Sequence, residues 1–260
     1  MGLALPTLDG GWQLRHRRIG MNGEAGKQAA RARKRSSGFT LVEAAVVVAI
    51  IGIVMAASVP NVNRYFETAR GRAAAKSIAD AFTIARANAI RTGNNQVVFF
   101  SVMTGGVPGG DVAGTPLTNS NGDPVPILVL DDGAPGSPNQ NCQIDPAEPR
   151  ITFEAQRDVG WGANAPPAGV PAPDDDAVAV IPPNGSSFRA PDGTPNMNWV
   201  QFRPDGIPVA IDAACNAGRL GSGGGTIYLQ TANRDYAVTL SPLGGVRVHV
   251  WDAAAGAWTS

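Results

Sequence analysis

The stretch Ser37-Gly38-Phe39-Thr40-Leu41-Val42-Glu43 decides how this chain is read, because it opens a long apolar run. The run continues Ala44-Ala45-Val46-Val47-Val48-Ala49-Ile50-Ile51-Gly52-Ile53-Val54-Met55-Ala56-Ala57-Ser58-Val59, and Pro60 follows it. From Phe39 to Val59 it has the length of one bilayer-spanning helix, about 20 residues. A basic cluster, Arg31, Arg33, Lys34 and Arg35, precedes it. The positive-inside rule holds such charges in the cytoplasm and sends the C-terminal side across the membrane. One carboxylate, Glu43, stands inside the run, where an unpaired charge is costly and marks function. A secretory signal would need an apolar core of about 7–15 residues with its small-residue cleavage site after it. Here the run is longer and the small residue, Gly38, lies before it. A plain anchor needs neither Glu43 nor a Gly-Phe junction.

These residues resemble the prepilin leader of type IV pilins and type II secretion pseudopilins. The resemblance implies that a prepilin peptidase cuts between Gly38 and Phe39 and that the new N-terminal Phe39 is methylated. It also implies that Glu43, fifth after the cut, guides assembly by pairing with the amine of a neighbouring subunit. The partners implied are the peptidase, other pseudopilins or pilins through the N-terminal helix, and inner-membrane lipid, with the head in the periplasm. Gly52 and the alanines Ala44, Ala45, Ala49, Ala56 and Ala57 would let such helices approach closely; lipid-facing filler is the other reading. Residues 1–38 are then a cytoplasmic leader, removed on processing and excluded from fold reasoning. Met21 offers a second start that keeps the basic cluster.

Beyond Pro60 the helical pattern resumes to about Arg91, with Ile78, Phe82, Ala85 and Ala89 forming one apolar stripe. The expected division is a span at 39–59 and an amphipathic helix at 60–92. Pro60 is expected to bend or melt the helix, and Gly71 to weaken it by about 1 kcal/mol. Thr92-Gly93-Asn94-Asn95 ends it with turn chemistry. Strands are expected at 96–102, 126–130, 150–153, 177–181, 198–202, 225–230, 235–240 and 246–251, from their β-branched and aromatic content. The last region holds a hairpin around Ala232-Asn233-Arg234. Residues 103–192 are rich in Gly, Pro, Asn and Asp and read as surface insertions. The fold class expected is α+β, a long N-terminal helix packed on a C-terminal antiparallel β-sheet head at 93–260.

A second resemblance sits on Ala85-Arg86 and Ala89-Ile90, on the turn Phe202-Arg203-Pro204-Asp205-Gly206 and on the last strand from Gly245. These are similar to the GspH/FimT group of minor pseudopilins. That group implies either a structural subunit of a type II secretion pseudopilus or, in FimT-like minor pilins, pilus biogenesis and DNA capture. For the second role the group points to C-terminal basic residues, here Arg247, with Arg219 and Arg234.

Charge argues against nucleic acid as a partner. The chain from Phe39 carries 13 basic and 19 acidic residues, and the part from Thr92 onward 7 basic and 16 acidic, a net of −9. An acidic head repels phosphate backbones. Cys142 and Cys215 are the two cysteines, and on the exported side a disulfide between them is expected. No metal is expected: His16 and His249 lie far in sequence from both cysteines. The run Asp174-Asp175-Asp176 lacks EF-hand spacing and reads as a solvated loop. No serine has a nucleophile-elbow context. Gly221-Ser222-Gly223-Gly224-Gly225 lacks the Lys-Ser/Thr of a phosphate loop and reads as a flexible connection. Neither an enzyme nor a cofactor or small-molecule substrate is expected.

Overall fold

The computed structural model describes residues 38–102, 109–163, 172–176 and 178–260. The leader residues before Gly38, with both candidate starts, lie outside them. Among the described residues one helix, α1 (Leu41–Thr92), is followed by ten strands, all paired antiparallel. The chain divides into two compact units after Ile50. In the first, the turns of α1 from Leu41 to Ile50 are exposed on every side. The second, from Ile51, holds the head and its core.

The bend or melted turn expected at Pro60 does not interrupt α1, which is helical throughout its 52 residues. A proline removes one backbone hydrogen bond, and one missing bond in so long a helix leaves the turns on either side intact. Its end is at Gly93, which has φ 73° and donates its N–H to the Ala89 carbonyl at 3.0 Å. This left-handed cap is the reason a glycine stands there.

The expected antiparallel β head is present and, among the described residues, consists of two five-stranded sheets. The first has the order β3-β2-β1-β5-β6, from β1 (Gln96–Phe100), β2 (Ile127–Asp131), β3 (Arg150–Phe153), β5 (Trp199–Phe202) and β6 (Pro208–Val209). The second has the order β10-β9-β8-β7-β4, from β4 (Gly160–Trp161), β7 (Gly225–Gln230), β8 (Asp235–Leu240), β9 (Val246–Asp252) and β10 (Ala257–Thr259). The stripe Ile78, Phe82, Ala85 and Ala89 meets both, joining Val98 and Phe100 of β1 and Phe202 of β5 with Tyr236, Val238 and Leu240 of β8. Phe82 is the hinge of this core, its ring 5.6 Å from Phe100, 6.0 Å from Phe188 and 6.3 Å from Phe202.

Strand alternation sends the other residues of β1, Val97 and Phe99, to a second core behind the first sheet with Leu128, Leu130, Leu117 and Ile211. A third cluster behind the second sheet joins Tyr228 and Ala237 to Ala172. Much of the described part of 103–192 is therefore covering structure and three strands, β2, β3 and β4, and not only surface insertion. Of the strand expected at 177–181, residue 177 lies outside the described residues, and 178–181 do not form it. Val178 and Ile181 pack against the third cluster instead, and Pro182-Pro183 directly after them removes two ladder donors.

Two glycine assignments also change. Gly71 is a point of close approach: a Cβ there would overlap the Tyr236 ring and lie 2.9 Å from Thr231 Cγ2. Within the glycine run, a Cβ on Gly223 would strike the Pro208 and Val209 backbone, and one on Gly225 would lie 2.7 Å from the Phe188 ring. The run is packed against the first sheet, not a loose tether.

Candidate functional site

Gly38, Phe39 and Thr40 lead into the helix in non-helical conformation, and Phe39 is 75% exposed. Thr40 starts α1. Its carbonyl accepts the Ala44 N–H at 3.1 Å and its Oγ1 accepts the Glu43 N–H at 3.2 Å. This is the side-chain half of a capping box, with Thr40 at the N-cap and Glu43 three residues on. The Thr-x-x-Glu spacing was available as a sequence signal beside the reading of Glu43 as an assembly residue. Glu43 also places a negative charge in the first turn, where the helix dipole favours it. The helix is long and apolar enough to cross a membrane.

In the head, Cys142 and Cys215 form a disulfide with Cα atoms 5.5 Å apart, tying the loop after β2 to the loop after β6. Between them lies a group that sequence reading missed. Asp132 is fully buried, and its Oδ1 accepts the N–H groups of Asn141 at 3.1 Å and Cys142 at 2.7 Å. Its Oδ2 lies 3.6 Å and 3.7 Å from the two sulfurs. Disulfide sulfurs carry no hydrogen, so the carboxylic acid proton is the one available to that contact. In keeping with this, burial pushes the Asp132 pKa up to about 6 against the pull of the two backbone donors, and Asp131 and Asp145 add to the rise.

Two of the three acids in the acidic run are held rather than solvated, while Asp174 is exposed as expected. Asp175 lies 3.0 Å from His249 Nε2 and 3.7 Å from Arg247. Asp176 accepts the Ser187 hydroxyl at 2.7 Å and the Tyr228 hydroxyl at 2.6 Å. Burial, and then the Asp176 charge, hold the Tyr228 phenol strongly protonated. Arg247, although 70% exposed, thus has a carboxylate beside it. Arg234 sits on the turn before β8, whereas Arg247 pairs with Thr239 near the far end of that strand. The structure does not bring these two arginines together.

Arg86, part of the Ala-Arg pattern, has a structural use. Its guanidinium donates to the Gly244 carbonyl at 3.0 Å beneath the turns at Gly206 and Gly244. An apolar cavity of about 440 Å³ opens beside Ala74, Ile78, Val125, Val159 and Trp161, and its lining has no histidine, cysteine or lysine.

Residues 33–59 match the family of the prokaryotic N-terminal methylation motif. No curated protein and no solved structure gives a significant match to the chain. The motif, with the single apolar helix ahead of an antiparallel β head, supports a membrane-anchored subunit of the type IV pilin and pseudopilin kind. The motif indicates a structural subunit rather than an enzyme, and implies processing by a prepilin peptidase and assembly with other pilins.

Proposed function

We propose that this chain is a minor pseudopilin of the GspH/FimT type, built into a type II secretion pseudopilus for protein export. The peptidase cuts between Gly38 and Phe39, Phe39 is methylated, and the head lies in the periplasm. The observation that carries the reading is the methylation motif at 33–59 set on a helix whose side chains from Leu41 to Ala56 are all exposed. Such a surface demands burial, first by lipid and then by neighbouring helices, since a helix apolar all round belongs inside a membrane or a bundle. Once there, Glu43 has a low-dielectric surrounding and pairs with the Phe39 amine of a neighbour. A stagger that leaves either charge alone is costly, so the pair sets register.

A FimT-like minor pilin acting in pilus biogenesis or DNA uptake is the alternative, and Asp175 beside Arg247 weakens it. Secretion genes beside its gene favour the first reading, and pilus or competence genes the second.

Intact-mass measurement of the membrane-extracted chain tests the processing. The expected product begins at Phe39 with one added methyl group, and an N-terminus elsewhere overturns the assignment. Assembly is tested with Glu43→Gln and Glu43→Val. Gln keeps the capping position while removing the charge, so both variants are expected to insert normally and to be lost from sheared fibres. Wild-type incorporation of Glu43→Gln would reduce Glu43 to a helix cap.

A further inference from the structure

Past Val59 the helix has a fully exposed segment, 61–66, before the head closes around it at Glu67. On this segment Val62, Tyr65 and Phe66 stand at i, i+3 and i+4, one apolar face. Tyr65 is 71% and Phe66 51% exposed, and their rings meet edge to face at 6.0 Å. Among the described residues nothing in the head covers them.

The rim of the head begins immediately beyond. Glu67 accepts a hydrogen bond from Asn233 on the β7–β8 turn, and Thr68 accepts the Tyr236 hydroxyl at 3.2 Å. Arg70 pairs with Asp158 at 2.6 Å, and Arg157 lies 3.7 Å from the same carboxylate. Exposed arginines surround this rim: Arg64 and Arg72 from the helix, Arg234 from the turn, and Arg157, 85% exposed. Arg234 and Arg72 both act on the Tyr236 phenol, lowering its pKa against the larger upward push of burial, which puts their charges at this end. From Thr92 onward the chain is net −9, so a basic foot on it is a segregation of charge.

We propose that this foot, Val62, Tyr65 and Phe66 with Arg64, Arg72 and Arg234, docks on anionic phospholipid headgroups of the leaflet where the span emerges. The inference rests on the reading of 39–59 as a membrane span. Three arguments identify the occupant. The first is continuity: Tyr65 is six residues past Val59, about 9 Å along the axis, and the headgroup layer is about 5–8 Å deep on each side. Helical side chains lean toward the N-terminus, so both rings reach back into that layer. The second is chemistry, since amphipathic aromatic rings concentrate at membrane–water interfaces. The third is charge, because basic residues near an anionic surface are attracted individually and additively.

The test uses the full chain in vesicles of phosphatidylcholine, with or without phosphatidylglycerol. Nitroxide labels are placed singly by Ile51→Cys, Phe66→Cys and Leu243→Cys, the last on the exposed turn after β8. Collision with oxygen and with a polar nickel complex reports depth. The Ile51 label is expected in hydrocarbon. The Phe66 label is expected to be several-fold less accessible to the nickel complex than the Leu243 label, more so with phosphatidylglycerol. That lipid effect is expected to disappear with R72Q/R234Q. If Ile51 is in hydrocarbon while Phe66 is as accessible as Leu243, the docking is wrong and the span stands. If Ile51 itself meets the polar reagent, the span reading fails and takes the docking with it. Protection indifferent to phosphatidylglycerol overturns the anionic assignment. Protection that appears only as the protein-to-lipid ratio rises assigns the foot to a neighbouring subunit instead.

Discussion

Asp132 lies behind the first sheet with one carboxyl oxygen on the N–H groups of Asn141 and Cys142 and the other against the disulfide. Burial raises its pKa from 3.8 to about 6. Burial likewise raises Glu148 from 4.5 to about 7, with Asp132, Asp145 and Asp131 adding to the rise. Both groups hold protons in the fold that the unfolded chain has released. Stability therefore falls as pH rises from about 4 through about 7, and is level above that window. Asp192 and Asp212, lowered by their bonds with Thr194 and Asn216, act in the opposite sense but only below their ordinary value of 3.8. Urea denaturation in detergent is expected to show a higher midpoint at pH 4.5 than at pH 7.5, Asp132 contributing about 2–3 kcal/mol. Asp132→Asn keeps an oxygen for the two N–H groups and cannot ionise, so it should shrink the difference. A midpoint that rises with pH, or an Asp132→Asn profile identical to wild type, would remove this account. Sequence alone does not reveal Asp132, because nothing in Asp131-Asp132 says which of two adjacent acids turns inward.

Helix α1 meets the second sheet at Gly71, where the Tyr236 ring occupies the place of a side chain. On an isolated helix Gly71→Ala would gain about 1 kcal/mol of propensity. Here the added methyl group meets a fully buried ring whose hydroxyl is held by the Thr68 carbonyl. Overpacking a fixed core costs about 1–3 kcal/mol, so the variant is expected to lower the urea midpoint of the head. Gly52→Ala, with nothing within 4 Å of its Cβ, serves as the control and should leave that midpoint unchanged. An equal or higher midpoint for Gly71→Ala would mean the helix stands off the sheet. Elements with their own periodicity are legible in sequence, which is why the stripe Ile78, Phe82, Ala85 and Ala89 and the hairpin β7–β8 are found where expected. The division into two sheets is not, since Val98 and Val97 look alike as text and differ only in which core they face. Short strands such as β4 and β6 have two residues each, too few for a pattern. For the N-terminal segment the motif is local, and so its match at 33–59 needs no tertiary information. What Asp175 holds is not, because His249 is 74 residues away.

Taken in chain order, the protein segregates its chemistry: an apolar run at 39–59, a net-basic stretch from Pro60 to Arg91, and a net-acidic remainder. That distribution decides how it meets nucleic acid. Net charge of −9 from Thr92 onward repels a phosphate backbone. The arginine singled out for DNA, Arg247, has Asp175 at 3.7 Å and does not share a surface with Arg234, so local attraction is divided as well as opposed. The remaining cationic cluster, at the foot, faces headgroups if the docking holds, and DNA would have to displace them. Purified chain in neutral detergent is therefore expected to bind duplex DNA no tighter than about 10⁻⁶ M at physiological salt, fading steeply as salt rises. Arg247→Gln should leave that weak contact unchanged. Asp175→Asn, which frees Arg247, should strengthen it by no more than the loss of one charge allows. Sub-micromolar binding that Arg247→Gln abolishes would reverse the argument, because a local patch would then have overcome the field of the whole head, and DNA capture would displace fibre assembly as the function this surface serves.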